Sequence, residues 1–228
     1  MTFICIIQSR TNSVRLPGKC FLPLAGMPLV ELCARRSQTK FAKTWIAISD
    51  CPSDDLLAKR LEMAKLSFYR GSSDNVLERF YSLCKYQKVK EDDVVIRLTG
   101  DNPLVDCIFL EKMKKIWEEN DLDYLTGEPP DLKDYAWPKG LSAEFFRARS
   151  LYQAKNSTVN KFDLEHVTPF IRHNARKSAC MADLKKLKYP SKKNFSIDRL
   201  NDYLYVAKIF DQIKWNESYE SILRLVSE

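Results

Sequence analysis

Short apolar runs alternate with longer amphipathic segments along most of this chain, and this alternation restricts the fold strongly. Phe3–Ile7, Thr44–Ser49 and Asp93–Leu98 are too short for helices and rich in β-branched residues, which is typical of strands buried on both faces. Segments such as Asp54–Lys65 carry apolar residues at helical spacing. Strands that alternate with helices of about 10–15 residues predict βαβ units. We therefore predict an α/β protein with a mostly parallel central sheet.

The composition is that of an ordinary globular chain. Of the 228 residues, 45% are hydrophobic and 29% are charged, which excludes a disordered or fibrous protein. This length fits one large α/β domain, so we predict a single domain over residues 1–228. No apolar run approaches the roughly 20 residues that cross a membrane, and no basic leader precedes residues 3–7. We therefore expect neither a membrane span nor a signal peptide.

The cysteines favour a reducing compartment. Seven are scattered along the chain, which is an odd number, and none forms a Cys-x-x-Cys pair. This pattern indicates reduced thiols in a cytoplasmic protein and argues against a zinc site.

The residues that follow the first predicted strand are suited to holding a polyphosphate. Gln8 to Ser13 are mostly small and polar, and Arg10, Arg15 and Lys19 add three cations. Hydroxyl and backbone N–H groups of small residues approach phosphate oxygens closely, and the cations supply charge. The Gly-x-x-x-x-Gly-Lys-Ser/Thr spacing of a Walker loop is absent. Cations that merely face solvent are the ordinary alternative, which this setting disfavours.

Two aspartates lie where a parallel sheet binds ligands. Asp101 follows the predicted strand Asp93–Leu98, and Asp198 follows a predicted strand Phe195–Ile197. Ligands of open α/β sheets bind at the carboxyl ends of the strands, and Gly100 lets the backbone turn sharply there. Mg²⁺ takes one or two carboxylates together with substrate phosphates. The pair therefore predicts a magnesium site, whereas an Asp before Asn-Pro is by itself as often a turn residue or a helix cap.

Three further expectations concern the surroundings of these residues. Asp74 is in position to cap a helix that carries Val76 and Phe80. We expect one helix over Asp163–His173. The proline-containing stretch Gly127–Gly140 is expected to be a surface excursion or a lid.

Six collinear segments between residue 4 and about residue 210 carry a family resemblance. They are RTNSVRLPGK (Arg10–Lys19), RGSSDNVLERF (Arg70–Phe80), VVIRLTGDNPLVD (Val94–Asp106), KGLSAEFF (Lys139–Phe146), EHVTPFIR (Glu165–Arg172) and SIDRLNDY (Ser196–Tyr203). Together they resemble the cytidylyltransferases, or CMP-sugar synthetases, among the sugar nucleotidyltransferases. The spore coat polysaccharide type is the most similar, and CMP-Kdo and CMP-sialate synthetases are related to it.

The resemblance implies a fold and an activity. The fold is a Rossmann-like, three-layer nucleotide-diphospho-sugar transferase fold. The expected reaction joins CTP to an acidic or modified sugar and gives a CMP-sugar and pyrophosphate, for surface polysaccharide or glycan biosynthesis. The resemblance also implies a Mg²⁺ cofactor and a homodimer.

The resemblance assigns roles to individual residues as well. Lys19 and Arg10 are expected to contact the triphosphate, with Lys19 offsetting charge on the α-phosphate as it becomes five-coordinate. Asp101 joins them as a catalytic residue and is, with Asp198, an implied metal ligand. The implied nucleotide-binding residues are Gln8, Ser9, Arg10, Ser13, Arg15, Lys19, Arg70, Ser72 and Gly100, and the implied sugar-binding residues are Glu144, Glu165, His166 and Thr168.

Two segments depart from the family pattern. Thr11 and Asn12 stand where a glycine is usual in the first loop, which changes how the backbone approaches the phosphates. After Asp198 the sequence is Arg-Leu-Asn-Asp where Thr-Pro-Glu-Asp is common. This second departure keeps Asp198 but alters the carboxylates beside it.

Two alternatives remain open at this point. The nucleotide is GTP, UTP or ATP if a few base-contacting atoms differ, which residue spacing does not reveal. The chain is a non-catalytic nucleotide- or nucleic-acid-binding domain if the basic segment Arg172–Lys193 is its binding surface. That segment carries eight Lys and Arg against one Asp, equal to the whole net charge of +7. A solvated surface is the more ordinary interpretation, because no nucleic-acid motif accompanies it.

Overall fold

A central β-sheet with helices packed against it is the framework of the protein in the computed structural model. The structure describes residues 1–127, 137–181 and 193–226. The strands are β1 (Phe3–Gln8), β2 (Pro23–Leu24), β3 (Met27–Pro28), β4 (Ala42–Ser49), β5 (Phe68–Gly71), β6 (Val94–Thr99), β7 (Tyr124–Thr126), β8 (Glu144–Arg147) and β9 (Ser178–Cys180). The α-helices are α1 (Leu29–Arg36), α2 (Asp55–Met63), α3 (Val76–Tyr86), α4 (Cys107–Asn120), α5 (Ala148–Ser157), α6 (Lys161–His166), α7 (Thr168–Asn174), α8 (Leu200–Phe210) and α9 (Tyr219–Leu225).

The main sheet is mostly parallel, as predicted. Within the described residues it has seven strands in the order β5-β4-β1-β6-β8-β7-β9, and β2 and β3 form a separate pair. Strand β1 pairs in parallel with β4 and with β6, whereas β8 runs antiparallel to both of its neighbours. The carboxyl ends of β1, β4, β5 and β6 therefore meet at one edge of the sheet.

Helices cover both faces of this sheet. Cys5 and Ile7 of β1 belong to one core cluster, and Ile4 and Ile6 belong to another. Because successive side chains of a strand point to opposite faces, the two clusters lie on the two sides of the sheet. This arrangement explains why the strands were recognisable as continuous apolar runs.

Helix α3 begins one residue later than the sequence suggested. Its N-cap is Asn75, whose side chain accepts a hydrogen bond of 2.8 Å from the backbone N–H of Glu78. The prediction of Asp74 as the cap is therefore wrong. Asn and Asp serve almost equally well at an N-cap, so residue type did not distinguish two adjacent candidates.

The predicted helix Asp163–His173 is in fact two helices. Helix α6 ends at His166 and α7 begins at Thr168, with Val167 between them at a φ of 68°. A β-branched residue takes a positive φ only where its surroundings impose it, and the Val167 side chain is fully buried in the core. The break leaves His166 at the end of a helix.

The predicted strand Phe195–Ile197 does not join the sheet. Asn194 forms an isolated bridge with Lys139, and the Phe195 N–H donates to the Lys139 carbonyl at 2.8 Å. Phe195 and Ile197 are apolar because they are buried in the core, and burial rather than strand pairing accounts for the pattern. Most of the expected excursion Gly127–Gly140, residues 128–136, lies outside the described residues.

No helix in the described ranges has both the length and the apolar character needed to cross a membrane.

Candidate active site

A cavity of about 470 Å³ opens at the carboxyl ends of β1 and β6. Its lining comes from the loop after β1, the turn after β6, the first turns of α3, the end of α6 and the segment that contains Ser196 and Asp198. The volume is in the range of small-molecule sites, and the edge is where open α/β sheets bind ligands.

The loop after β1 is fastened to the neighbouring strand by Asp54. One carboxylate oxygen of Asp54 accepts the Thr11 N–H at 2.8 Å, and the other accepts the N–H and hydroxyl of Ser49 at 2.8 and 2.7 Å. Burial alone would raise the pKa of Asp54, but these hydrogen bonds outweigh it and hold the pKa below its ordinary value. The loop is therefore tied to the end of β4 by a buried carboxylate.

The first departure from the family pattern is tolerated by this loop. The Thr11 carbonyl accepts the N–H groups of Ser13 and Gly18, both at 3.0 Å. Gly18 has a φ of 69°, whereas neither Thr11 nor Asn12 is among the described residues with a positive φ. The backbone at residues 11 and 12 therefore does not need the conformational freedom of glycine.

Lys19 joins the two predicted metal-binding aspartates. It begins a single 3₁₀ turn, Lys19–Phe21, directly after Gly18. Its Nζ donates to Asp101 Oδ2 at 2.6 Å, to the Ile197 carbonyl at 2.9 Å and to Asp198 Oδ1 at 3.2 Å. The fold thus brings a loop lysine and two carboxylates from distant parts of the chain to one point.

Asp198 is held by both its backbone and its charge. The preceding N–H, of Ile197, donates to the Asp101 carbonyl at 2.9 Å. Arg15 donates to the Asp198 carboxylate at 2.7 Å, and the Lys139 ammonium lies 3.6 Å from it. Burial raises the pKa of Asp198, but the charges of Lys19, Arg15 and Lys139 lower it to below its ordinary value. The group is therefore ionised at neutral pH.

The second departure from the family pattern leaves Asp198 in place. Asp202 Oδ2 accepts the N–H groups of Asp198 and Arg199 at 3.1 and 2.8 Å, so its carboxylate caps helix α8. Within the described part of the chain, no group of three or more His, Cys, Asp or Glu side chains is arranged to hold a metal ion. Asp101 and Asp198 are the carboxylates of the cavity lining that contact Lys19.

A second polar network lies behind another wall of the cavity. Arg97, on β6, donates from Nε to the Gln8 side chain at 3.1 Å and forms an ion pair with Glu144. The Tyr124 hydroxyl also donates to Glu144, and burial together with this carboxylate raises the pKa of Tyr124. Arg97 and Gln8 line the cavity, whereas Glu144 does not. Glu144 therefore supports the wall by orienting Arg97.

Most of the residues expected to bind substrate do line the cavity. Those that do are Gln8, Ser9, Arg10, Ser13, Arg15, Lys19, Gly100, Asp101, Glu165, His166 and Asp198. Four others, Arg70, Ser72, Glu144 and Thr168, are not in its lining. Arg70 donates to the carbonyls of Ser49 and Cys51 and to Asp55, and the Ser72 hydroxyl accepts the Asn75 N–H. Local contacts thus engage both of these side chains.

Comparison with known proteins assigns the chain to a family. A family model described as "Cytidylyltransferase" matches residues 4–226. The chain belongs to the cytidylyltransferase family. Cytidylyltransferases are nucleotidyltransferases that use CTP. The spore coat polysaccharide biosynthesis protein SpsF of Bacillus subtilis is 32% identical to this chain over 178 residues, which are 74% of this chain and 69% of SpsF.

Solved structures share the fold of this cytidylyltransferase. A cytidylyltransferase from Leptospira borgpetersenii superposes with a TM-score of 0.83 at 23% identity, covering 99% of this chain and 94% of that one. A CMP:2-keto-3-deoxy-manno-octonic acid synthetase complexed with CTP superposes with a TM-score of 0.66 at 15% identity, covering 93% and 99%. These likenesses confirm the α/β fold.

Several residues lining the cavity of this cytidylyltransferase were not expected from the sequence. Asn102 follows Asp101, and Thr99 ends β6. Their closeness in the chain to Asp101, a predicted metal-binding residue, could have indicated that they line the site. Arg79 had a different signal, because it lies on the core-facing stripe of α3 with Val76 and Phe80. A charged residue on an apolar helix face needs an explanation.

Proposed function

We propose that the protein transfers CMP from CTP to an acidic or modified sugar and releases pyrophosphate, for the synthesis of a surface polysaccharide or glycan. The observation that carries this proposal is the convergence of Lys19 with Asp101 and Asp198 at the sheet edge. Arg10 and Arg15 lie on the same loop as Lys19 and also line the cavity. Positioned cations and metal-binding carboxylates are the recurring parts of phosphoryl transfer sites. The names of the relatives, which refer to polysaccharide biosynthesis and to CTP, support the same substrates.

Asp101 and Asp198 fit a magnesium ion. One oxygen of each lies 2.6 or 3.2 Å from the same Lys19 Nζ, so both already converge on a cation. Mg²⁺ is held by one or two carboxylates together with phosphate oxygens. When bound, it supplies Lewis-acid neutralisation of phosphate charge.

Lys19 would be displaced from the two carboxylates if they held a divalent cation, because like charges repel. The triphosphate offers the ammonium new anionic partners. Lys19 then donates to the α-phosphate, where charge develops in the transition state. Arg10 is easily redirected as well, since its 3.2 Å ion pair with Glu165 is exposed to solvent and worth little.

The sugar hydroxyl loses its proton to solvent as its oxygen forms a bond to the α-phosphorus, while the bond from the α-phosphorus to the bridging oxygen breaks and pyrophosphate leaves. The residues of the chain contribute mainly positioning and electrostatic stabilisation, so no covalent enzyme intermediate is expected. Glu165 and His166 line the cavity at the end of α6, and we assign them to the sugar side. Glu144 acts there only through Arg97.

Pyrophosphate release tests the proposal. CTP, GTP, UTP and ATP are each incubated with Mg²⁺ and a panel of acidic and neutral sugars. We expect release with CTP and an acidic or modified sugar, loss of release in Asp101→Asn, and wild-type release in Asp92→Asn, whose carboxylate is exposed and outside the cavity. Release with another triphosphate instead would change the assigned base. No release with any mixture, with Asp101→Asn identical to wild type, rejects the proposal.

The single domain, the homodimer and the cytoplasmic location stay predictions. Limited proteolysis tests the first, sedimentation velocity at several protein concentrations tests the second, and fractionation of cells tests the third.

A further inference from the structure

Arg79 is a buried cation that forms no direct ion pair with a carboxylate of the described residues. It lies on the face of α3 that packs into the core, next to Phe80, and is 1% exposed. Its Nη1 donates to the Ser72 carbonyl at 3.1 Å. Its Nε has no partner among the residues that the structure describes. The guanidinium has five N–H donors, so most of its donor capacity has no partner within the described ranges.

The other cations that line the cavity differ from Arg79 in this respect. Each of them forms an ion pair with a carboxylate, whereas Arg79 forms none within the described ranges; the paired cations are Arg10, Arg15, Lys19 and Arg97. Burial lowers the pKa of Arg79 to about 10, although the charges of Asp54 and Asp50 act against this effect. An unpaired buried charge costs several kcal/mol. A ligand that supplies the missing anion explains why such a charge is present.

The position of Arg79 indicates which anion this is. Arg79 and Arg10 line the same cavity, and the charge of Arg10 is near enough to lower the pKa of Arg79 further. Because Arg79 and Arg10 repel each other beside the same cavity, a ligand with several negatively charged oxygens is favoured there. Arg10 belongs to the loop after β1, which is suited to polyphosphate.

We propose that Arg79 binds a phosphate oxygen of the nucleoside triphosphate from the α3 side of the cavity, as a second arginine beside Arg10. This inference rests on the proposed function and adds a residue to its nucleotide site. The guanidinium is already desolvated and held by the helix, so it binds the phosphate without further loss of solvent. Its fork of donors suits phosphate oxygens better than an ammonium does.

Binding of four probes tests this assignment. CTP, CMP and inorganic tripolyphosphate are titrated calorimetrically, and cytidine is titrated by NMR, which measures millimolar dissociation constants. The proteins are wild type, Arg79→Met, Arg79→Lys and Arg149→Met. Arg149 is a matched control, because it is half-exposed, paired with Asp92 and outside the cavity.

We expect CTP and tripolyphosphate to bind Arg79→Met about 10- to 100-fold more weakly than wild type, as for loss of a hydrogen bond to a charged group. Cytidine binding should not change. Arg79→Lys should recover part of the loss, because it keeps the charge but not the fork. Arg149→Met should bind all four probes as wild type does.

A purely structural role for Arg79 gives a different result. If Arg79 serves the ligand instead, Arg79→Met should leave the Tm of the ligand-free protein unchanged or higher, because the cation forms no direct ion pair within the described residues. Unchanged CTP binding, or equal weakening of CTP and cytidine, overturns the assignment. If the Tm falls, the ratio of the CTP and cytidine affinities still distinguishes the two roles, since a damaged fold weakens the binding of both ligands.

The tripolyphosphate titration separates this inference from the proposed function. ATP and an acidic sugar are titrated into wild type and Arg79→Met as well. If tripolyphosphate and ATP bind in an Arg79-dependent way without preference for CTP, the cytidylyl transfer fails and the role of Arg79 stands. If wild type binds none of the probes, both fail. If only the response to an acidic sugar changes in Arg79→Met, the anion is a sugar carboxylate and the phosphate assignment is wrong.

Discussion

Arg36 and Arg79 are both buried arginines, but the protein treats their charges differently. The terminal nitrogens of Arg36 donate to the carbonyls of Trp215, Glu217 and Leu104 at 2.8, 2.7 and 3.2 Å. Arg79 donates to one carbonyl. In both, Nε lacks a partner among the described residues, so the terminal nitrogens make the difference.

The surroundings of Arg36 form a closed structural corner. Asp106 lies 3.8 Å from Arg36 and accepts the N–H groups of Phe109 and Tyr219 at 2.8 and 2.7 Å. Burial raises the pKa of Asp106 and lowers that of Arg36, whereas the backbone hydrogen bonds to Asp106 and the attraction between the two charges act against these shifts. The hydrogen bonds of Arg36 are made by the chain itself, which is typical of a structural charge. Arg79 lies beside the cavity with most of its donors unpaired within the described residues, which is consistent with a ligand-binding charge.

The largest expected effect is on Arg36. Arg36→Met should lower the free energy of unfolding by about 3–5 kcal/mol, because it leaves Asp106 buried without a cation and removes three backbone contacts. Urea unfolding measures this, with Arg79→Met as the comparison. Equal stability of the two variants would break the distinction between the corner and the cavity.

Lys19→Met should affect catalysis more than folding. We expect pyrophosphate release to slow about 10²- to 10³-fold, as for loss of one donor to a developing charge. Mn²⁺, followed by the electron paramagnetic resonance of the free ion, should bind the variant more tightly than wild type, because Lys19 no longer competes for Asp101 and Asp198. Lys112→Met, which removes an exposed cation elsewhere, is the control. A loss of stability as large as that of Arg36→Met would place Lys19 among the structural charges.

Asp54 belongs to both comparisons. Its carboxylate is fully hydrogen-bonded by the chain, as in the Arg36 corner, and it holds the loop that lines the cavity. Asp54→Asn should lower the free energy of unfolding by about 1–3 kcal/mol at pH 7, the cost of weakening buried hydrogen bonds. The folded-state pKa of Asp54 lies below its ordinary value. The stabilisation is therefore present above a pH of about 3.9 and is lost as the pH falls through the folded-state pKa.

Thermal unfolding of wild type and Asp54→Asn from pH 7 to pH 3 checks the sign of this effect. The gap between the two curves should begin to narrow as the pH falls below about 3.9. A gap that widens on acidification contradicts the hydrogen-bond account.

The smallest effect is expected at Glu165. Its ion pair with Arg10 is about half exposed, so Glu165→Gln should change the free energy of unfolding by less than about 1 kcal/mol. Urea unfolding of Glu165→Gln and Arg36→Met in parallel compares the free energy lost with an exposed charge and with a buried one. A change above 2 kcal/mol would show that the rim of the cavity is structural too.

The parts of the molecule that sequence predicts well are those encoded by neighbouring residues. The alternation of apolar runs and helices gave the mostly parallel sheet, and the position of Asp101 after such a run placed it at the ligand-binding edge. The polar loop from Gln8 to Lys19 was recognisable for the same reason, since loop and strand are adjacent in the chain.

The parts that sequence did not predict depend on contacts between distant residues. Asp54 accepts a hydrogen bond from Thr11, which lies 43 positions away in the chain. In the sequence, Asp54 stands at the start of a predicted helix, where an aspartate is common and suggests no such contact. Arg70 belongs to a recognisable motif but is engaged by Cys51 and Asp55. The break at Val167 comes from core packing, which overrides helix propensity. In each case the partner, rather than the residue, decides the outcome.

The hydrogen bond from the Ile197 N–H to the Asp101 carbonyl has a consequence for metal selection. It joins the two backbones next to the carboxylates, so the spacing of these groups is set during folding. In the proposed magnesium site a divalent cation would therefore meet a preorganised pair and would bear little of the entropy of bringing the two segments together. Ions should therefore be distinguished by radius and hydration, and Ca²⁺, which prefers more ligands at longer distances, should be a poor substitute for Mg²⁺.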